Sequence, residues 1–241
     1  IKELYKNETI VIATMHEKER AIAPILEKHL GVKIVLPPDF DSDQFGTFTR
    51  EMKRSGDQLE TARRKAHIAI KMTGVDLAVS SEGSFGEHPQ SPFIQSNFEL
   101  TLFVDKKRGY EVSGHFHTEE TNMNQAYIKN SSEALLFAKK VGFPEYGVIL
   151  RKDEKSHSDI HKNIKTEEDL REIAEKMLSR PFVKKIFIET DMRAHRNPMR
   201  MEAIKGATED MIKNLFSLCP RCQTPGFAVV NFEKGLECSY C

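Results

Sequence analysis

Apolar residues recur at two spacings along this chain, and the change from one to the other predicts its elements. In residues 56–86, GDQLETARRKAHIAIKMTGVDLAVSSEGSFG, Leu59, Ala62, Ala66, Ala69, Ile70 and Thr73 return every three or four positions. That period puts one small apolar face on a helix. Asp57 with Glu60 can cap its start, and Gly74 suits the left-handed turn that stops it. Val75, Leu77, Ala78 and Val79 then form a short run that reads as a buried parallel strand. The run ends in Ser80-Ser81-Glu82-Gly83-Ser84-Phe85-Gly86, which reads as a polar loop. Such a loop, beyond the carboxyl end of a strand, is where open α/β sheets hold ligands. A plain surface turn has the same composition.

The flanking pattern is of the same kind. Residues 9–14, TIVIAT, predict a first strand, followed by the polar turn Met15-His16-Glu17-Lys18-Glu19-Arg20. A helix over 19–29 buries Ala21, Ile22, Ile25 and Leu26, with Pro24 awkward inside it. Gly31 ends it and residues 32–36 form a second strand. Prolines, aspartates and Gly46 make residues 37–55 a long loop, and residues 87–97 read as irregular. Alternation over 98–105 and 111–118 predicts an antiparallel hairpin. Ser132 starts a helix, residues 148–150 a strand, Thr166 with Asp169 another helix, and residues 183–189 a strand. The loop 190–198 gathers Arg193, His195 and Arg196 beside Asp191, a grouping that could grip a phosphate or the edge of a base. A last helix covers 199–218.

Composition narrows the partners. The 241 residues hold 36 Lys plus Arg and 36 Asp plus Glu, so no global field draws the chain to nucleic acid or membrane. No run approaches the length of a membrane-spanning helix, and the opening residues do not read as a signal peptide. A reducing, cytoplasmic setting and no membrane partner are expected.

All four cysteines lie at the end of the chain, as Cys219-Pro-Arg-Cys222 and Cys238-Ser-Tyr-Cys241, with fifteen residues between the pairs. Two such knuckles at that separation form a zinc-ribbon pattern. Four thiolates close a tetrahedral Zn²⁺ site of the structural kind. Two disulfides or two redox pairs are the alternative reading. The ribbon could act as a staple for the last helix, or as a contact surface for nucleic acid or protein.

With these motifs in view, the chain resembles the inosine triphosphate pyrophosphatase family. That family opens with an apolar strand and ATxNxxK, and here residues 10–18 read IVIATMHEK. It continues with ENAxxKA, a helix, TG, a short strand and DDSG. The matching positions are Glu60-Thr61-Ala62-Arg63-Arg64-Lys65-Ala66, Thr73-Gly74 and Ser80-Ser81-Glu82-Gly83. The inosine/xanthosine triphosphatase branch carries Glu-x-Gly at that loop, similar to Glu82-Gly83. GFPEYGVIL at 142–150 is similar to the family's GFGYDPIF, and Ala194-His195-Arg196 to the SHR before its last helix, which contacts the base. The resemblance spans residues 8–210 and is specific over 56–83. The whole chain also resembles a bacterial family with this cysteine tail.

The departures bear on chemistry. His16 stands for the Asn of ATxNxxK, and Ser80 and Ser81 stand for the paired Asp. The resemblance implies an α/β fold, a mixed twisted sheet flanked by helices, over residues 1–216; the zinc ribbon that the cysteine spacing predicts over 217–241 is not part of that family. The resemblance also implies a metal-dependent nucleotide phosphohydrolase, of the kind of a nucleoside triphosphate pyrophosphatase using Mg²⁺ or Mn²⁺. Glu82 and Glu60 are then the catalytic carboxylates. Lys18, Arg20 and Lys65 contact phosphate, and Arg193, His195 and Arg196 contact the base. The alternative is a nucleotide- or nucleic-acid-binding protein that kept the cleft without catalysis.

Overall fold

A computed structural model describes residues 1–41, 57–88, 91–156, 158–229 and 235. The chain is mixed α/β, and its strands form two sheets where the sequence suggested one. The first has the order β2-β1-β3-β4-β5, with β1 Thr9–Ala13, β2 Lys33–Val35, β3 Leu77–His88, β4 Ser91–Asp105 and β5 Tyr110–Thr118. β2, β1 and β3 run parallel, and β3, β4 and β5 form an antiparallel meander. The second sheet, order β6-β9-β7-β8, is antiparallel throughout, with β6 Gln125–Ile128, β7 Val148–Arg151, β8 Ile160–His161 and β9 Ile186–Thr190.

Helices cover the first sheet on both sides, because its strands are apolar on both. On one face, α1 Lys2–Tyr5, α2 Glu19–Leu30 and α6 Pro198–Phe216 bury Ile10, Ile12, Val79 and Phe103 beneath Ile22, Leu26, Ile204 and Met211. On the other, α3 Gln58–Thr73 lays Ala62, Ala66 and Ala69 over Val11, Ala78, Leu100 and Leu102. Small residues let that helix sit close to the strands. Its caps are as the sequence predicts: Asp57 accepts from the Glu60 amide, and Gly74 is left-handed with φ 72°. α2 runs through Pro24. The amide that proline lacks would have bonded the carbonyl of Arg20, which is exposed and open to water.

In the second unit, α4 Ser131–Val141 and α5 Glu167–Leu178 pack Phe137, Ala138, Leu170 and Met177 on Val148, Leu150, Ile186 and Ile188. α5 has the expected capping box of Thr166 and Asp169. α4 is capped by Asn130 rather than Ser132, since the Asn130 side chain accepts from the Glu133 amide at 2.9 Å. The two units meet where the Gly147 amide donates to Arg196 O at 2.8 Å and the Asp191 amide to Gly147 O at 2.8 Å.

The largest correction falls on residues 80–97. Ser80–Gly86 is no loop: β3 continues through it to His88, paired with β4, and residues 91–97 join β4 as well. Ser80, Ser81, Glu82 and Glu99 find their partners inside the sandwich. Gly83 shows how tight the pairing is. A Cβ there would lie 2.2 Å from Glu99 Oε1, so any side chain would displace that carboxylate. Gly114 on β5 is equally constrained, with the backbone of α6 2.0 Å from where a Cβ would be. No described helix is long and apolar enough to cross a membrane.

Candidate functional site

The ends of β1 and β3 create the site. β1 stops at Ala13, paired with Ser80, while β3 runs on, so the β3 edge from Ser81 onward has lost its parallel neighbour. Lys18, at the start of α2, fills that edge. Its ammonium donates to Ser81 O at 3.1 Å and to Ser81 Oγ at 3.0 Å. Alternation along β3 sends Ser80 and Glu82 toward α3, and Ser81 and Gly83 toward α6. Ser80 Oγ donates to Ala62 O at 2.7 Å. Glu82 forms an ion pair with Lys65 of α3. On the α6 side, Glu99 of β4 takes Arg200 Nε at 2.8 Å, and Arg200 also donates to Met192 O at 2.6 Å.

Five charged side chains thus meet at the carboxyl ends of parallel strands, and all are buried. Lys18 is 7% exposed, Lys65 6%, Glu82 5%, Glu99 0% and Arg200 1%. With Lys18 protonated, three are cations and two are carboxylates, and the cluster then carries an excess of positive charge. Lys18 registers it. Burial, then the repulsion of Arg200 and Lys65, outweighs the pull of Glu82 and Glu99 and lowers its ammonium from 10.5 to about 7. Three polar atoms nearby, Thr14 Oγ1, Asn97 Oδ1 and Glu99 Oε2, have no hydrogen-bond partner among the described residues.

The Lys18 shift has a sign that can be measured. Between pH 7 and 10.5 the unfolded chain holds a proton that the folded one does not, so stability rises with pH across that window. Below it, the fold bears the full cost of a buried ammonium, on the order of 5 kcal/mol. Lys18→Met should therefore be more stable than the parent at pH 6.5 and lose most of the rise. Urea denaturation of both proteins at several pH values tests this; parallel curves would remove Lys18 as the cause.

Other sequence-predicted residues fall elsewhere. Glu60 is on the outer surface of α3, bonded to Arg64, and does not join Glu82. The second carboxylate of the buried cluster is Glu99, on the opposite face of the sheet from Glu82, and not Glu60, because one helical residue cannot face both solvent and sheet. Arg20 points outward and pairs with Glu17 at 2.8 Å. Arg193 holds Asp191, with Nε at 3.0 Å from Oδ1, and Asn163 at 2.8 Å. Arg196 donates to Ile164 O at 2.8 Å. These two arginines thus fasten the loop 190–198 to the second unit. His195 is brought to the first loop, stacked on His16 with ring centroids 5.2 Å apart. Burial, then Arg193 and His16, lowers its imidazole, which is neutral at pH 7.

Glu99 and Arg200 had a signal in the sequence. Glu99 is a charge within an alternating strand, and Arg200 lies on the same helical stripe as Ile204, Ala207 and Met211. A charge in an apolar stripe requires a buried partner.

At the far end, Cys219 and Cys222 are free thiols on one tight turn. Gln223 donates to Cys219 O at 2.9 Å with a left-handed φ of 60°, and the Cys219 amide donates to Thr224 O at 2.9 Å. The Cys222 thiol is lowered by Thr224, then Cys219. Cys238 and Cys241 lie outside the described residues. Among the described residues, no three His, Cys, Asp or Glu are grouped to hold a metal.

A family model described as a domain of unknown function (DUF6671) matches residues 65–241. The match takes in Lys65, Glu82, Glu99, Arg200 and the four cysteines, and leaves Lys18 outside. No curated protein matches the chain.

Proposed function

We propose that this chain, which belongs to the DUF6671 family, is a metal-dependent nucleotide phosphohydrolase of the inosine triphosphate pyrophosphatase type, with a structural zinc ribbon at its end. One observation carries the reading: three buried basic side chains against two buried carboxylates at the carboxyl ends of parallel strands. Buried unbalanced charge is costly. A phosphate chain would supply the missing negative charge, and this end of an α/β sheet is where such ligands bind. Phosphate oxygens would take over the Lys18 and Lys65 ammoniums from Ser81 and Glu82. Because both lysines are nearly covered, entry requires that displacement.

The residues present also fit a divalent cation. Glu99 Oε2 and Asn97 Oδ1, both on the α6 side of β4, are hard oxygen donors that would hold it, while Glu82 faces α3, and Mg²⁺ or Mn²⁺ usually takes one or two carboxylates alongside substrate phosphates. When bound, the ion would offset phosphate charge. Released from Lys65, Glu82 is placed to orient or deprotonate water. The closed Lys65–Glu82 pair favours a second reading, a nucleotide-binding protein without catalysis, since a carboxylate held by an ammonium is a weak base. A nucleotide panel with Mg²⁺ or Mn²⁺, assayed for pyrophosphate and phosphate and for binding, separates the two. Binding without release leaves the second reading; neither binding nor release ends both.

The tail completes the proposal. The turn carrying Cys219 and Cys222 presents two thiols on one side, which is half of a Cys₄ site. Cys238 and Cys241 would supply the rest. Elemental analysis should find about one Zn²⁺ per chain at sulfur distances of about 2.3 Å. Cys222→Ala should lose the zinc and melt the tail while the α/β core stays folded, as seen by proteolysis. A zinc-free chain with an intact tail would refute the ribbon.

A further inference from the structure

We propose that a cavity on the outer side of α6 binds a small organic cation with an apolar body, at a site separate from the buried cluster. The cavity has a volume of about 720 Å³, within the range of small-molecule sites. Phe116, Tyr146, Met199 and Met201 line it. Phe116 and Met199 remain 40% and 41% exposed, so this wall has apolar surface with nothing packed on it. Phe116 is held in place by Gly206, where a Cβ would lie 2.5 Å from its ring.

The charge around that wall is net negative. Glu17, Glu120, Glu145, Glu202 and Glu209 line the cavity, against Arg20 and Lys205. Arg20 is bound to Glu17 at 2.8 Å and Lys205 to Glu202 at 3.4 Å. Glu120, Glu145 and Glu209 have no ion-pair partner among the described residues. His195, also in the lining, is held neutral by burial and its cationic neighbour and adds no compensating charge. A phosphate would be repelled here. An ammonium is attracted by the carboxylates and by the ring faces of Phe116 and Tyr146, while its apolar body covers the methionines.

Two lining residues, Arg20 and His195, are among those the family resemblance assigns to a nucleotide, but none of the five buried charges of the cluster lines this cavity. Arg200 turns to the sheet, and its neighbours Met199 and Met201 turn to the cavity. Calorimetric titration of the full chain with tryptamine, and with indole-3-propionate as the anion of similar shape, tests it. Tryptamine should saturate with a dissociation constant below about 1 mM, and indole-3-propionate should not bind. The Glu145→Gln/Glu209→Gln variant changes two exposed side chains and should melt like the parent. It should weaken tryptamine about five- to tenfold, as expected for two exposed ion pairs. Equal binding of the two probes, unchanged affinity in the variant, or no saturation by about 10 mM tryptamine would each overturn the proposal.

Discussion

Glu99→Leu should destabilise the protein by about 3–5 kcal/mol, the range found when one partner of a buried ion pair is removed. Glu99 and Arg200 are both fully enclosed, and Arg200 Nε sits 2.8 Å from the carboxylate. Without Glu99, the guanidinium keeps Met192 O and the face of Phe85, 5.7 Å away, but no negative charge of its own. Lys18 is close enough to add repulsion. The pair itself is a different matter from its breakage. Glu99→Leu/Arg200→Met replaces both charges by apolar groups of similar length and should recover most of the loss. Urea denaturation of the two variants beside the parent decides this. A single substitution costing under about 1 kcal/mol would mean that the guanidinium finds water or another carboxylate, and that the cluster is less closed than its burial implies.

Local signals in the sequence were read well where both partners lie within one turn. The Asp57 cap, the Gly74 stop and the Thr166–Asp169 box each join residues a few positions apart, and each is present. Residues 80–86 misled because their partners come from far away. Ser81 is bonded by a lysine 63 positions earlier, and Glu99 by an arginine 101 positions later. A polar strand satisfied from α2, α3 and α6 looks, in one dimension, like a solvent loop. The second sheet was hard to see for another reason: β6 and β8 have four and two residues, too few to show alternation. Glu82, Lys65 and Lys18 were picked from motif spacing, and the fold does bring them together. Glu60 belongs to the motif but turns to solvent, and Glu99 belongs to the buried cluster but to no motif.

Glu82→Gln should lower nucleotide turnover by a factor of about 10² to 10⁴ if Glu82 prepares the attacking water. The sequence alone placed Glu82 on an exposed loop, where its loss would cost the fold under about 1 kcal/mol. Its burial in β3 against Lys65 changes that figure. Gln can still accept from the Lys65 ammonium, so the expected cost is about 1–3 kcal/mol, that of a weakened charged hydrogen bond. Lys65→Met is expected to be worse for the fold, because it strands a buried carboxylate, and better for the chemistry, because Glu82 becomes more basic. It should raise KM, since a phosphate contact acts in ground and transition states alike, while kcat falls less than in Glu82→Gln. The two effects therefore separate by assay: stability ranks Lys65→Met below Glu82→Gln, and kcat ranks them the other way. Binding carries an independent signature. Lys18, at about 7, is mostly neutral at pH 8, and an entering phosphate would hold it charged. Nucleotide binding at pH 8 should then take up close to one proton, seen as a binding enthalpy that changes with the ionisation enthalpy of the buffer. Lys18→Met should abolish that dependence. Turnover by Glu82→Gln at the parent rate would remove Glu82 from the mechanism, and buffer-independent binding by the parent would place the phosphates away from Lys18.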